Sequence, residues 1–283
     1  MIHNQSIFRV KDHAVSGESF ELHENSQYGY LETTPQPNDD VLGDYYNSVD
    51  YISHTDSSRN FFEKCYQFVR KIALRKKITL INSLPLEGRC ILDIGCGTGD
   101  FLQLAGKHNW RINGVEPNID ARAIANKKTN NAVHHIAQLD YYSAQCFDVI
   151  TLWHVLEHVP NLNSYISRLH KLLKDNGRLI VAVPNYKSYD AFYYKSFWAG
   201  FDVPRHLWHF DQNSMSNLFN KNNMHLEAIA PMRFDAFYVS LLSEKYKTGK
   251  MNYLRALYVG LLSNLKANRT NEFSSLIYTI KKA

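Results

Sequence analysis

Helix-like and strand-like apolar patterns alternate along the middle of this chain. Over residues 60–83, Phe61, Tyr66, Phe68, Val69, Ile72, Ala73 and Ile78 recur at helical spacing with Arg and Lys between them, predicting a long amphipathic helix that Pro85 and Gly88 end. A first strand, 90–94, follows, with Ile91, Leu92 and Ile94 as its apolar run. A second strand is predicted at 110–117, a helix at 119–128, a short third strand at 133–136 and a fourth at 147–153. Beyond it the pattern predicts a helix at 162–174, a fifth strand at 177–183, a helix near 214–222, a sixth strand at 225–231 and a seventh at 274–280. Strands and helices alternating at this spacing make an α/β fold with a parallel sheet and right-handed crossovers.

The flanks read differently. Residues 6–10 and 19–22 alternate weakly around Ser16-Gly17, which predicts a small hairpin. Pro35 and Pro37 break regular structure, and Asp39-Asp40 can cap a short helix through Val41, Leu42 and Tyr46. Residues 44–56 are too dense in aromatic and hydrogen-bonding side chains for a mere linker. The stretch 184–211 reads as a polar and aromatic loop. About forty residues separate the sixth and seventh strands, and Phe237, Val239, Leu241, Leu242, Tyr253, Leu254, Leu257, Leu261 and Leu262 make that interval helical. An inserted amphipathic pair at about 235–268 follows, read as local packing in preference to a membrane or partner surface. The chain therefore divides into a hairpin and cap segment, 1–58, and one larger domain, 59–283.

Between the first strand and its helix lies Leu92-Asp93-Ile94-Gly95-Cys96-Gly97-Thr98-Gly99-Asp100-Phe101. Three alternate glycines let backbone amides approach a ligand that a Cβ would obstruct. The pattern is G-x-G-x-G with an acid two residues before the first glycine, whereas the dinucleotide fingerprint is G-x-G-x-x-G. The shift favours adenosylmethionine over a nicotinamide dinucleotide. Glu116 ends the second strand about twenty residues on, where a carboxylate can accept two hydrogen bonds from ribose hydroxyls.

With this loop the chain resembles the class I S-adenosylmethionine-dependent methyltransferases. FDVITLWHVLEHVP at 147–160, Pro204-Arg205-His206, the YYNSVDY segment at 45–51 and the initial hairpin extend the resemblance over most of the chain, within a subgroup similar to ubiquinone-type O-methyltransferases. It implies a Rossmann-like seven-stranded, mostly parallel sheet with an antiparallel last strand, here carrying the N-terminal cap and the helical insertion. It also implies S-adenosyl-L-methionine as cofactor, with Asp93, Gly95, Cys96, Gly97 and Gly99 around its amino acid moiety and Glu116 on the ribose. Pro117 and Asn118 shape the ribose edge, and Trp153 and His154 end the fourth strand beside the cofactor. At the adenine, Leu139 can cover a face while Gln138 or Asp140 meets the amino group. Some relatives carry an N-terminal cysteine zinc knuckle; no cysteine precedes Cys65 here, so no metal is implied.

Methyl transfer from a sulfonium is an in-line displacement that depends on alignment and exclusion of water. A hydroxyl or carbon-acid acceptor also needs a base. His154 and His158, at the carboxyl edge of the sheet, and His206 and His209, in the later loop, are the options. Glu157 and His158 can instead brace the following helix. Arg205 can hold an acidic acceptor or a loop carboxylate such as Asp202. Tyr45, Tyr46, Tyr51 and His54 are expected to form a lid over cofactor and acceptor. The expected reaction is O-methylation of a small molecule, with N- or C-methylation of a metabolite or sugar, or cofactor binding without turnover, as alternatives.

Composition adds limits. The 283 residues are 45% hydrophobic and 13% aromatic, with eighteen tyrosines, and carry a net charge of +5. The Lys71 to Lys77 cluster reads as a solvated helix face. No amino-methylation motif of the N-P-P-Y type and no continuous basic stripe points to nucleic acid. The four cysteines form no C-x-x-C pair, and neither a leader nor a membrane span is recognisable, so the expectation is a reduced, cytoplasmic protein, monomer or homodimer.

Overall fold

The computed structural model describes residues 6–38, 45 and 61–283, and of residues 6, 7 and 61–66 the backbone. Three short strands come first: β1 (Ser6–Lys11), β2 (Ser19–Glu24) and β3 (Leu31–Thr34). Helix α1 (Phe61–Asn82) leads to β4 (Cys90–Ile94), α2 (Asp100–Lys107), β5 (Arg111–Val115), α3 (Ile119–Thr129) and β6 (Val133–His134). Then come β7 (Phe147–Trp153), α4 (Leu162–Leu172), β8 (Leu173–Pro184), α5 (Tyr189–Tyr194), β9 (Trp208–His209), α6 (Gln212–Asn220) and β10 (Met224–Pro231). Two helices, α7 (Asp235–Thr248) and α8 (Tyr253–Thr270), precede β11 (Ser275–Lys282).

Seven strands form the main sheet in the order β10-β11-β8-β7-β4-β5-β6. β4 pairs in parallel with both β5 and β7, and β11 alone runs antiparallel to its two neighbours. Every residue of β4 is buried, as a strand covered on both faces requires. Ile78 and Ile81 of α1 pack with α2 and α3 residues on one face. Leu162, Ile166 and Leu169 of α4 pack with Met215, Leu218 and Phe219 of α6 on the other. No helix among the described residues is long and apolar enough to cross a membrane.

β1, β2, β3 and β9 make a second, antiparallel sheet. The hairpin is where the alternation placed it, but β3 and β9 lie in segments that carried no strand signal of their own. β3 has only four residues before Pro35 and pairs along all of them with β2, while the two residues of β9 are a strand through their pairing with β3. Thr33 seals the contact, with its hydroxyl donating to the His206 carbonyl at 2.7 Å.

Two other expectations are corrected. The third strand is only Val133–His134, because the His135 ring accepts the Ala137 amide at 3.3 Å and opens a 3₁₀ turn, Ile136–Asp140. The expected loop 184–211 holds helix α5, capped by Ser188, together with β9. The helix expected near 41–46 falls, apart from Tyr45, outside the described residues.

A buried carboxylate fastens α8 to this frame. Asp190 accepts hydrogen bonds from the Trp198 indole, the Ser263 hydroxyl of α8 and the Ser274 hydroxyl beside β11, each at 2.7 Å.

Candidate functional site

The site lies where β4 and β7 end side by side. Their register sets Asp93 opposite Thr151, whose hydroxyl donates to the Asp93 carboxylate at 2.6 Å. Gly95, Gly97 and Gly99 all take left-handed backbone angles, φ 65°, 54° and 77°. At Gly99 a Cβ would stand 2.9 Å from the Ala125 Cβ, so glycine lets the turn press against α3. At Gly97 a Cβ would meet nothing within 4 Å, so open space lies above the loop there.

Glu116, buried at the end of β5, closes the loop. One carboxylate oxygen accepts the Gly97 amide at 2.8 Å and the other the Asn118 amide at 3.0 Å. An ionised carboxylate has about four acceptor positions, so two bonds leave capacity for two ribose hydroxyls. Asn118 caps α3 through Asp120 and Ala121, and Pro117 is exposed. Cys96 lies under the loop, where burial pushes its thiol far above its ordinary range.

Burial pushes Asp93 up to about 7, with the Thr151 hydrogen bond and Lys77 opposing the rise. Lys77, on α1, has its ammonium 4.2 Å from the Trp153 ring centre. Burial pulls it down to about 8, although Asp93 and Asp235 hold it up. The solvated face expected for 71–77 therefore fails at Lys77, which turns inward. The Trp153 indole nitrogen is buried without a hydrogen-bond partner among the described residues.

His154 has φ 58°, a conformation that costs a non-glycine residue energy and concentrates at functional sites. Its ring stands 3.2 Å from Asp235 at the start of α7 and 3.4 Å from Glu157. Burial alone would lower its pKa, but the two carboxylates outweigh that and push it up to about 10. His154 is therefore an imidazolium at neutral pH and has no lone pair to act as the base considered for it. The unfolded value is 6.5, so its stabilisation is complete below 6.5 and disappears between 6.5 and 10. The gap in melting temperature between wild type and His154→Gln is expected to narrow over that range in scanning calorimetry. Parallel profiles would contradict the ion pairing.

The LEH and PRH segments, some forty-five residues apart, meet. The Glu157 carbonyl accepts the Leu207 amide at 2.8 Å, and His158 Nδ1 donates to the Arg205 carbonyl at 2.9 Å. His206 Nδ1 donates to the Gly200 carbonyl at 2.9 Å, and the His158 and His206 ring centres are 4.6 Å apart. Burial and His206 lower His158 to about 4, so it is neutral. The Glu157 carboxylate is buried and ionised, with no partner in hydrogen-bond geometry among the described residues.

The remaining expected site residues have other surroundings. His209 is buried, held far below its ordinary value by that burial, and its Nε2 contacts the Thr33 hydroxyl at 2.9 Å. That hydroxyl spends its proton on the His206 carbonyl, so His209 donates and serves as a strut rather than a base. Arg205 is buried with Asp202 and Asp12, so of its two suggested partners a loop carboxylate is the one present. Leu139 is in the core, Gln138 half-buried, and Asp140 pairs with Arg168 at 2.7 Å on the surface. The Tyr45 hydroxyl donates to Glu18 at 2.7 Å and its carbonyl accepts from Arg205. Tyr46, Tyr51 and His54 lie outside the described residues.

A methyltransferase-domain family model matches residues 63–229, from within α1 to within β10. The chain belongs to the class I S-adenosylmethionine-dependent methyltransferases. This methyltransferase is 25% identical over 187 residues to the mitochondrial ubiquinone biosynthesis O-methyltransferase of Rattus norvegicus, covering 60% of this chain and 54% of that one. It is 32% identical over 127 residues to the ubiquinone biosynthesis O-methyltransferase of Rhodopseudomonas palustris, covering 42% and 49%. The chain thus spans about half the length of these relatives. In fold it matches the geranyl diphosphate C-methyltransferase of Streptomyces coelicolor, solved with Mg²⁺, geranyl diphosphate and S-adenosylhomocysteine. The TM-score is 0.57 at 14% identity, over 86% of this chain and 97% of that one. The magnesium protoporphyrin IX methyltransferase of Synechocystis, solved with S-adenosylhomocysteine, gives 0.56 at 15% identity, over 87% and 100%. The open space over Gly97, the spare acceptor capacity of Glu116 and the Trp153 indole nitrogen, without a hydrogen-bond partner among the described residues, fit an adenosylmethionine in this methyltransferase. Lys77 and Asp235 carried no motif: one sat in a basic run and the other begins an inserted helix.

Proposed function

We propose that this methyltransferase methylates a hydroxyl oxygen of a small-molecule acceptor and that His158 takes the hydroxyl proton. The observation that carries this reading is the division of the two histidines after β7. His154 is held as a cation between Asp235 and Glu157, while His158 donates its Nδ1 proton to the Arg205 carbonyl, which leaves Nε2 as its basic nitrogen.

S-adenosylmethionine, when bound, supplies an electrophilic methyl group on its sulfonium. Glu116 would orient the ribose, and Asp93 with Lys77 would face the ammonium and carboxylate of the amino acid end. The ionised Glu157 beside His158 offsets the charge that ring gains on taking a proton, and the Arg205 carbonyl fixes which ring nitrogen is already protonated. The ubiquinone biosynthesis O-methyltransferases among the relatives support an oxygen acceptor.

Single-turnover assays with a catechol as oxygen probe and an aromatic amine as nitrogen probe test the reading. His158→Gln is expected to slow methylation of the catechol by about 10²–10⁴-fold, with cofactor affinity unchanged in titration. Undiminished turnover in that variant, or preferential methylation of the amine, would contradict it.

A further inference from the structure

Helix α8 turns two unlike faces to its surroundings. Ala256, Val259, Gly260, Ser263 and Ala267 are buried, with Gly260 packed so close to Phe237 of α7 that a Cβ would lie 2.6 Å from its ring. These small residues let α8 lie flat on its own domain. The opposite face carries Leu254, Leu257, Tyr258, Leu261 and Leu265, spaced three and four apart over the length of the helix. All are exposed, Leu254 at 83% and Leu265 at 55%, so the local packing expected from the sequence accounts for only one side of the helix. A run of large apolar side chains standing in water along a whole helix face marks an interaction surface.

Charge decides what covers it. Between Glu244 and Glu272 the chain has no acidic residue and six basic ones: Lys245, Lys247, Lys250, Arg255, Lys266 and Arg269. Arg255 and Arg269 border the leucine stripe on α8 itself, while the Lys266 ammonium lies 3.7 Å from the Tyr189 ring centre of α5. A second copy seated on this face would bring two basic rims together, which opposes pairing through it. A helix with a Leu and Tyr face, a basic border and no acids has the composition of one lying in the headgroup region of an anionic bilayer. The six-cation segment is also too polar to cross one.

We infer that α8 docks this protein on anionic lipid membranes, with Leu254, Leu257, Tyr258, Leu261 and Leu265 entering the interface and Arg255 and Arg269 meeting lipid phosphates. The inference is independent of the acceptor. The hairpin that carries this face is rooted in the site, since α7 begins with Asp235, 3.2 Å from His154.

Co-sedimentation of the full chain with phosphatidylcholine vesicles, with and without phosphatidylglycerol, tests it. Binding is expected only to the phosphatidylglycerol vesicles and should weaken as salt is raised. Leu257→Glu/Leu261→Glu, at exposed positions, should abolish binding while circular dichroism and melting temperature stay as in wild type. Arg255→Gln/Arg269→Gln should weaken it roughly thirtyfold, about fivefold for each charge. No binding to the anionic vesicles, or equal binding by the leucine variant, would overturn the inference. So would a light-scattering result in which the leucine variant splits a dimer while vesicle binding is unaffected, since the face would then belong to a second copy.

Discussion

Glu116→Ala is expected to lower the affinity of this methyltransferase for S-adenosylmethionine by about a hundredfold or more. A hydrogen bond to a charged group contributes about 1.5–3 kcal/mol, and two ribose hydroxyls on one carboxylate together give about 3–6 kcal/mol. At about 1.4 kcal/mol per tenfold that is roughly 10²–10⁴ in affinity. The substitution also removes the acceptor of the Gly97 and Asn118 amides, which now hold the loop at 2.8 and 3.0 Å. Gly97 has a positive φ and no side-chain anchor, so part of the loss should come from a loop that is no longer set in place. Glu116→Gln separates the two contributions. Its amide oxygen can keep one backbone bond, so it should retain the fold of the loop and lose the charge, giving an intermediate affinity. Isothermal titration with S-adenosylmethionine and S-adenosylhomocysteine reads both variants, and NAD titrated alongside should give no heat. Wild-type affinity in Glu116→Ala would remove Glu116 from the ribose.

Asp93 adds a pH dependence to the same measurement. Its carboxyl, raised to about 7 by burial, gains charge as pH rises through neutrality, and an anion there favours a cationic ammonium. Binding should therefore tighten from pH 6.5 to pH 8, and Asp93→Asn should flatten the profile. A profile unaltered by that substitution would place the ammonium elsewhere.

What could be read from residues alone follows the range of the interaction that makes each feature. β4 and β7, of five and seven residues, are mostly apolar, and their ends fall near where the apolar pattern ends. The glycine loop is local as well, since each glycine answers a backbone angle at its own position. β9 has no such signal, because its two residues form a strand only by pairing with β3 across some 175 positions, and β3, four residues long, is set by its partner β2. The same holds for charge. His154 becomes a cation through Asp235, eighty-one residues later, and a histidine at a strand end reads as a base until that partner is known. Lys77 looked solvated because its neighbours in sequence are basic; which of them faces Trp153 depends on how α1 is rotated against the sheet. The LEH and PRH motifs were both recognisable, while their contact through Leu207 and Arg205 was not, since nothing in either motif points to the other.

Arg205→Ala is expected to destabilise the fold by roughly 3–5 kcal/mol, the usual result of removing one partner from a buried ion cluster. The Arg205 guanidinium donates to both oxygens of Asp202, at 3.0 and 2.6 Å, to Asp12 at 3.2 Å and to the Tyr45 carbonyl at 3.0 Å. Asp12 stands in the turn after β1 and is wholly shielded from solvent. Four donors of that turn, the amides of Ala14, Val15 and Ser16 and the Ser16 hydroxyl, also converge on it. These hydrogen bonds and the Arg205 charge overcome the burial that would raise its pKa, so Asp12 stays ionised. Without the guanidinium, two carboxylates remain beside each other with no cation between them. Among the described residues the N-terminal sheet then keeps its β3–β9 pairing, the Thr33 amide on the Leu207 carbonyl and the Thr33 hydroxyl as polar ties to the 199–211 loop. Arg205→Lys should recover part of the loss, because a lysine restores the charge without the planar fork that spans Asp202 and Asp12 together. Urea unfolding of the three proteins gives the order wild type, lysine, alanine. Since Arg205 also positions His158 through its carbonyl, which both substitutions retain, the folded fraction of the lysine variant should bind S-adenosylmethionine as wild type does. A lysine variant as unstable as the alanine one would show that the fork, and not the charge, holds the two sheets together.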